Sequence, residues 1–168
     1  DADVDEGRYL QVIRYKTAKL FEAAAQLGAI IGGATPEAEA ALANYGMHLG
    51  TAFQLVDDVL DYSGHEADTG KHLGDDLAEG KPTLPLIYVL EQGNDRQAAS
   101  VRHAIENGGR EDFPVVLEAI RATGALEHVR RRAAEEAALA RNALAGLKPS
   151  KYRDALLQLS AFAVERNH

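Results

Sequence analysis

The chain has 168 residues, 46% of them apolar, with a formal net charge of -8, a sequence pI near 5.2 and no cysteine. That length makes one domain with a real core. The missing thiols exclude disulfides, thiolate metal sites and cysteine nucleophiles, and the acidic balance argues against a nucleic-acid partner, which needs a basic face.

No apolar stretch approaches the ~20 residues of a bilayer span and no signal peptide is visible, so a cytoplasmic protein is expected. The chain opens Asp1-Ala2-Asp3-Val4-Asp5-Glu6, without an initiator Met, which reads as a trimmed start or a missing upstream part. A first helix is predicted from about Asp5 to about Ile31, because Tyr9, Val12, Ile13, Leu20, Ala23, Leu27 and Ile31 share one face at the helical period. Gly32-Gly33 stops it. Thr35-Pro36-Glu37 reads as cap, Pro at the first helical position and an acid at the positive helix end. The second helix is predicted from Pro36 to about Tyr62, with Leu42, Tyr45, Leu49, Phe53, Val56 and Leu60 as its apolar stripe.

Ser63 to Pro82 is polar and rich in glycine, and a loop of that length in a compact domain is often functional. Short helices follow over Thr83 to Gln92, Asp95 to Asn107 and Glu111 to Thr123. A longer one covers Gly124 to Leu147, ended by Pro149, and Ser150 caps a last helix carrying Leu156, Leu159 and Phe162. No segment alternates with period 2, so the fold class is all-α. Arg130-Arg131-Arg132, facing Glu135 and Glu136, reads as a solvated, salt-bridged surface.

The segment Gly50-Thr51-Ala52-Phe53-Gln54-Leu55-Val56-Asp57-Asp58-Val59-Leu60-Asp61 carries the strongest chemical signal. Asp57 and Asp61 are four apart and share a helix side with Gly50 and Gln54. Like charges at this spacing cost an isolated helix roughly 0.2–0.5 kcal/mol, and a cation relieves that cost. Hard oxygen ligands suit Mg²⁺, which keeps several waters and bridges to phosphates. A solvated acidic face is the competing explanation. An EF-hand is rejected, because its acids alternate in a loop around a central Gly.

Lys16 falls at the centre of the first apolar stripe, where either an anion in a cavity or a snorkelling stem explains it. In the loop, Gly70-Lys71 and Gly80-Lys81 flank Asp75-Asp76. Two lysines suit phosphate and the acids suit a metal's outer shell, whereas each residue alone fits an ordinary solvated loop. His65 and His72 receive no role.

The helix bearing Lys16-Thr17-Ala18, the segment Phe53-Gln54-Leu55-Val56-Asp57-Asp58-Val59-Leu60-Asp61-Tyr62, and Gly70-Lys71 with the run Gly74-Asp75-Asp76-Leu77-Ala78-Glu79-Gly80-Lys81-Pro82-Thr83-Leu84-Pro85 together resemble trans-isoprenyl diphosphate synthases, the polyprenyl synthetase family, in wording closest to bacterial octaprenyl diphosphate synthases. The resemblance implies a helical bundle of the isoprenoid synthase type around an apolar cavity. It implies Mg²⁺-dependent condensation of isopentenyl diphosphate with an allylic diphosphate into a long polyprenyl chain, in a homodimer. It assigns Asp57 to direct Mg²⁺ binding, and Asp58, Asp61 and Asp76 to the metal's water shell. By the same resemblance Lys16, Lys71 and Lys81 would contact the allylic diphosphate, and Thr17 and Gln54 would lie beside the allylic carbon.

The family's earlier aspartate-rich motif and its upstream basic residues for isopentenyl diphosphate have no counterpart among these residues, so residues 1–168 read as the C-terminal part of the domain. Two alternatives remain: a class I terpene synthase, which also uses DDxxD on a helix, and a catalytically incomplete helical subunit that binds diphosphate or a partner without turnover.

Overall fold

The computed structural model describes residues 2–63, 73–108 and 110–166, and no strand occurs among them. Helix α1 spans Glu6–Ile13, a π-helical turn spans Arg14–Ala18, and α2 spans Lys19–Ile31. Helix α3 spans Pro36–Ser63, α4 Asp75–Ala78, α5 Leu84–Gln92 and α6 Asp95–Asn107. A 3₁₀ turn over Arg110–Asp112 leads into α7, Phe113–Thr123, followed by α8, Ala125–Ala143, and α9, Lys151–Glu165.

The helix ends follow local chemistry. At the start of α6, Asn94 accepts from the Gln97 backbone while Gln97 reaches back to the Asn94 N–H, so two orphan donors are satisfied. Ser150 accepts from the Arg153 backbone at the start of α9, as the sequence predicts. Helix α8 stops at Ala143, short of the predicted Leu147, and residues 144–147 form turns.

The first helix departs most from expectation. It is one run, but the π-turn inserts one residue more than the α ladder needs, with the Lys19 N–H bonded to the Arg14 carbonyl five residues back. One extra residue rotates everything after it by about 100°. Tyr9 and Ile13 are buried as predicted, whereas Val12, at the edge of the stripe ahead of the turn, is 58% exposed; after the turn the inward face is Ala18, Phe21, Ala25 and Ala29. Leu20 at 72% exposure, Leu27 at 56% and Ile31 at 86% lie on the outer side of α2. Lys16, predicted within the apolar stripe, is exposed for the same reason.

The chain packs as two compact units. The first is built from the described residues of 1–9 and 57–131, the second from residues 10–56 and 132–166. The crossings at 9/10, 56/57 and 131/132 fall inside α1, α3 and α8 rather than in linkers. In the first unit α5, α6 and α7 pack pairwise around Leu86, Val89, Val101, Val116 and Ile120, all fully buried. Each such side chain contributes about 1.5–3 kcal/mol by leaving water. In the second unit Tyr45 and Leu49 of α3 meet Ala140 and Leu144, with Phe21, Leu42 and Leu156 packed against them. The Tyr45 hydroxyl donates to the Leu156 carbonyl at 2.8 Å, and burial pushes it up to about 12. Of the predicted apolar residues of α9, Leu156 packs inward while Leu159 and Phe162 are exposed.

Candidate functional site

The first unit gathers the acidic residues. Asp57, Asp58 and Asp61 lie in the last two turns of α3, and α4 brings Asp75 and Asp76 to the end of that helix. Two backbone N–H groups dock α4 there, one on the Asp61 carbonyl and one on its carboxylate. The Gly74 N–H donates to the Asp61 carbonyl at 3.0 Å, and the Asp76 N–H donates to Asp61 Oδ2 at 3.3 Å. Gly74 makes the approach possible, because its φ of +78° is left-handed and a Cβ there would strike the Phe113 ring. Phe113 in turn stacks on Tyr62 of α3, ring centroids 6.2 Å apart.

The four candidate metal residues sit in different settings. Asp57 and Asp61 are half-buried on α3. Asp58 is 2% exposed and accepts a short hydrogen bond from the Tyr9 hydroxyl. Burial, with the Asp58 charge behind it, raises the Tyr9 hydroxyl well above its usual range, so it remains a donor. Burial pushes the Asp61 carboxyl up to about 6, helped by the charges of Asp76 and Asp75 and partly offset by their backbone N–H groups.

Lys81 Nζ donates to Asp76 Oδ1 at 2.9 Å and lies 2.6 Å from Glu79 Oε2. Its bonds to Glu79 and Asp76 raise it above the usual lysine range. Lys71 lies outside the described residues, as do His65 and His72. Among the described residues no group of three or more His, Asp or Glu forms a ready metal cage, and no helix is long and apolar enough to cross a membrane.

The second unit holds the other candidates. Lys16 and Thr17 are in the π-turn, and Thr17 Oγ1 donates to Gln54 Oε1 of α3 at 2.9 Å. The two backbones approach closely: a Cβ on Gly50 would stand 2.6 Å from the Ala18 Cα. The sequence thus pairs Thr17 with Gln54, and a glycine one turn before Gln54 admits the turn that carries Thr17.

Sequence reasoning missed three residues. Tyr9 reads only as core, yet its hydroxyl holds Asp58. Glu136 reads as surface, and Arg132 does pair with its neighbour Glu135 at 2.5 Å. Glu136 itself is 4% exposed, with Oε1 3.2 Å from Arg14 and Oε2 2.6 Å from His48. The signal was present, because Glu136 falls on the face of Ala133, Ala137 and Ala140, all fully buried. His48, one helical strip from the apolar stripe of α3, gives no comparable signal alone.

Comparison with known proteins places this architecture. The polyprenyl synthetase family profile matches residues 1–122. The octaprenyl diphosphate synthase of Escherichia coli (strain K12) is 51% identical over 168 residues, covering 99% of this chain and 52% of that protein. The geranyl-diphosphate-specific all-trans-nonaprenyl-diphosphate synthase of Rhodobacter capsulatus is 42% identical over 164 residues, 98% of this chain and 50% of that one. A crystal structure of polyprenyl synthase from Caulobacter crescentus CB15, complexed with calcium and isoprenyl diphosphate, superposes with a TM-score of 0.94 at 40% identity, covering 100% of this chain and 52% of that one. The chain spans about half the length of the curated relatives it matches. The all-α fold, the motifs and the family match agree: this chain belongs to the polyprenyl synthetase family.

Proposed function

We propose that the chain serves prenyl transfer, the condensation of isopentenyl diphosphate with an allylic diphosphate, and supplies the half of the site that holds the allylic diphosphate through Mg²⁺. The observation that carries this reading is the end of α3. Asp57 and Asp61 are one helical turn apart, and Asp76 is docked on Asp61 through its amide. The Asp61 carboxyl is pushed up by burial and negative neighbours, and a divalent cation is the partner that relieves such crowding. Mg²⁺ needs only one or two carboxylates beside substrate phosphates, so a closed protein cage is not required.

Asp57 would bind the metal directly. Asp61 and Asp76 would hold its waters, and Asp58 would act from its buried place on Tyr9. When bound, Mg²⁺ supplies charge stabilisation for the departing diphosphate. Lys16, Lys71 and Lys81 add fixed positive charge to the same end. For Lys81 this means exchanging part of its bonding to Asp76 and Glu79 for a phosphate oxygen. Thr17 and Gln54 orient their dipoles toward the developing cation at the allylic carbon. The isopentenyl double bond attacks that carbon, and the released diphosphate takes the final proton. A homodimer of the full-length protein belongs to the same reading.

A second reading, that these 168 residues bind diphosphate without turnover, is favoured by their covering about half of each relative. Calorimetric titration of an allylic diphosphate with and without Mg²⁺ tests the site. The expected result is Mg²⁺-dependent binding that weakens at least about tenfold in Asp57→Ala. Binding that is indifferent to Mg²⁺ or to Asp57 would falsify the metal assignment.

A further inference from the structure

Glu136 is a buried carboxylate with no part in the site described so far. Its two oxygens serve two different elements: Oε1 accepts from Arg14 Nη2 at 3.2 Å, and Oε2 meets His48 Nδ1 at 2.6 Å. Arg14 opens the π-turn. His48 lies on α3, two residues before Gly50, where the Ala18 backbone makes its closest approach. One carboxylate therefore ties the π-turn to α3 just before Thr17 reaches Gln54.

The turn needs such a tie. A π-turn carries a residue that the α ladder does not need and is rarely adopted by the chain alone, so a side-chain contact from another helix helps to hold it. The tie is ionic in character. Burial alone would raise the Glu136 carboxyl, but His48 and Arg14 outweigh it and hold the group below the usual carboxylate range.

We infer that Glu136 is a positioning residue, which through Arg14 and His48 clamps the π-turn on α3 and so holds Thr17 on Gln54 and fixes the backbone that presents Lys16. The inference rests on the prenyl-transfer reading for its kinetic consequences, but its structural consequence stands apart from that reading.

In the full-length protein, Arg14→Gln and Glu136→Gln are compared with Thr17→Val and with each double variant. The clamp predicts a kcat about tenfold lower in either single clamp variant, with KM for the allylic diphosphate within about twofold. It predicts that each double variant loses no more than Thr17→Val alone, because both changes act on the same contact. It also predicts amide exchange over Lys16–Lys19 about tenfold faster in both clamp variants.

Additive losses, or unchanged exchange over that segment, overturn the inference. If Glu136→Gln fails to fold, Arg14→Gln decides, since its side chain is 43% exposed and the Glu136–His48 contact survives. A wild type without prenyl transfer would sink the functional reading, and exchange alone would then judge the clamp: faster exchange upholds it, unchanged exchange refutes it.

Discussion

Asp58 and Asp57 are adjacent in sequence and opposite in setting, one locked under the Tyr9 hydroxyl and one half-buried at the helix edge. A DDxxD string cannot distinguish them, because the difference is made by Tyr9, which lies 49 residues earlier. Gly74 is similar. Its sequence neighbours mark a loop, but only the left-handed φ and the Phe113 ring make it irreplaceable. Gly74→Ala should cost about 1–3 kcal/mol, read as a lower urea midpoint, with α4 loosened from Asp61. Glu136 supplies a pH dependence. Its folded pKa lies below the ordinary 4.5, so its contribution is fully present above about pH 4.5 and is lost as pH falls through the folded value. Glu136→Gln should therefore be less stable than wild type near neutrality by about 1–3 kcal/mol. The gap should close in acid, when denaturant titrations are repeated on both sides of pH 4.5.

The π-turn is the element that periodicity could not reveal. The pattern Tyr9, Val12, Ile13, Leu20, Ala23, Leu27, Ile31 describes a regular helix; Val12 lies outside the core ahead of the turn, and the inserted residue turns the second half of the stripe away from it. The alternative face Ala18, Phe21, Ala25, Ala29 is mostly alanine, and alanine carries little signal in an apolar count. Helix α3 was legible almost to the residue, because its cap, its stripe and its acids all agree with a regular helix. Deleting Tyr15, which is 71% exposed, removes the extra residue without taking anything from the core. The shortened run closes into a regular α ladder with Ala18, Phe21, Ala25 and Ala29 still facing inward. Spliced this way, the chain should keep its stability within about 1 kcal/mol, while Thr17, deprived of the π-turn backbone, should part from Gln54. Chemical denaturation gives the first quantity. The second would show as diphosphate affinity falling with the Mg²⁺ dependence intact.

At the scale of the whole molecule, the all-α class and the family were legible because motif order and helical composition carry them. The division into two compact units was not, because no glycine-rich or proline-rich joint marks it. Among the described residues, the crossings between units lie within helices, at 9/10, 56/57 and 131/132. Domains that melt separately are usually joined by exposed linkers. Here, melting either unit would leave a part of α1, of α3 and of α8 as a stub, and short isolated helices are marginal in water. The thermal transition should therefore be single, with a calorimetric enthalpy equal to its van't Hoff value. Two resolved heat-capacity peaks would mean that α3 can break at Val56 at little cost. A single peak would make heat capacity blind to the boundary that the packing draws, because α1, α3 and α8 carry the chain across it unbroken.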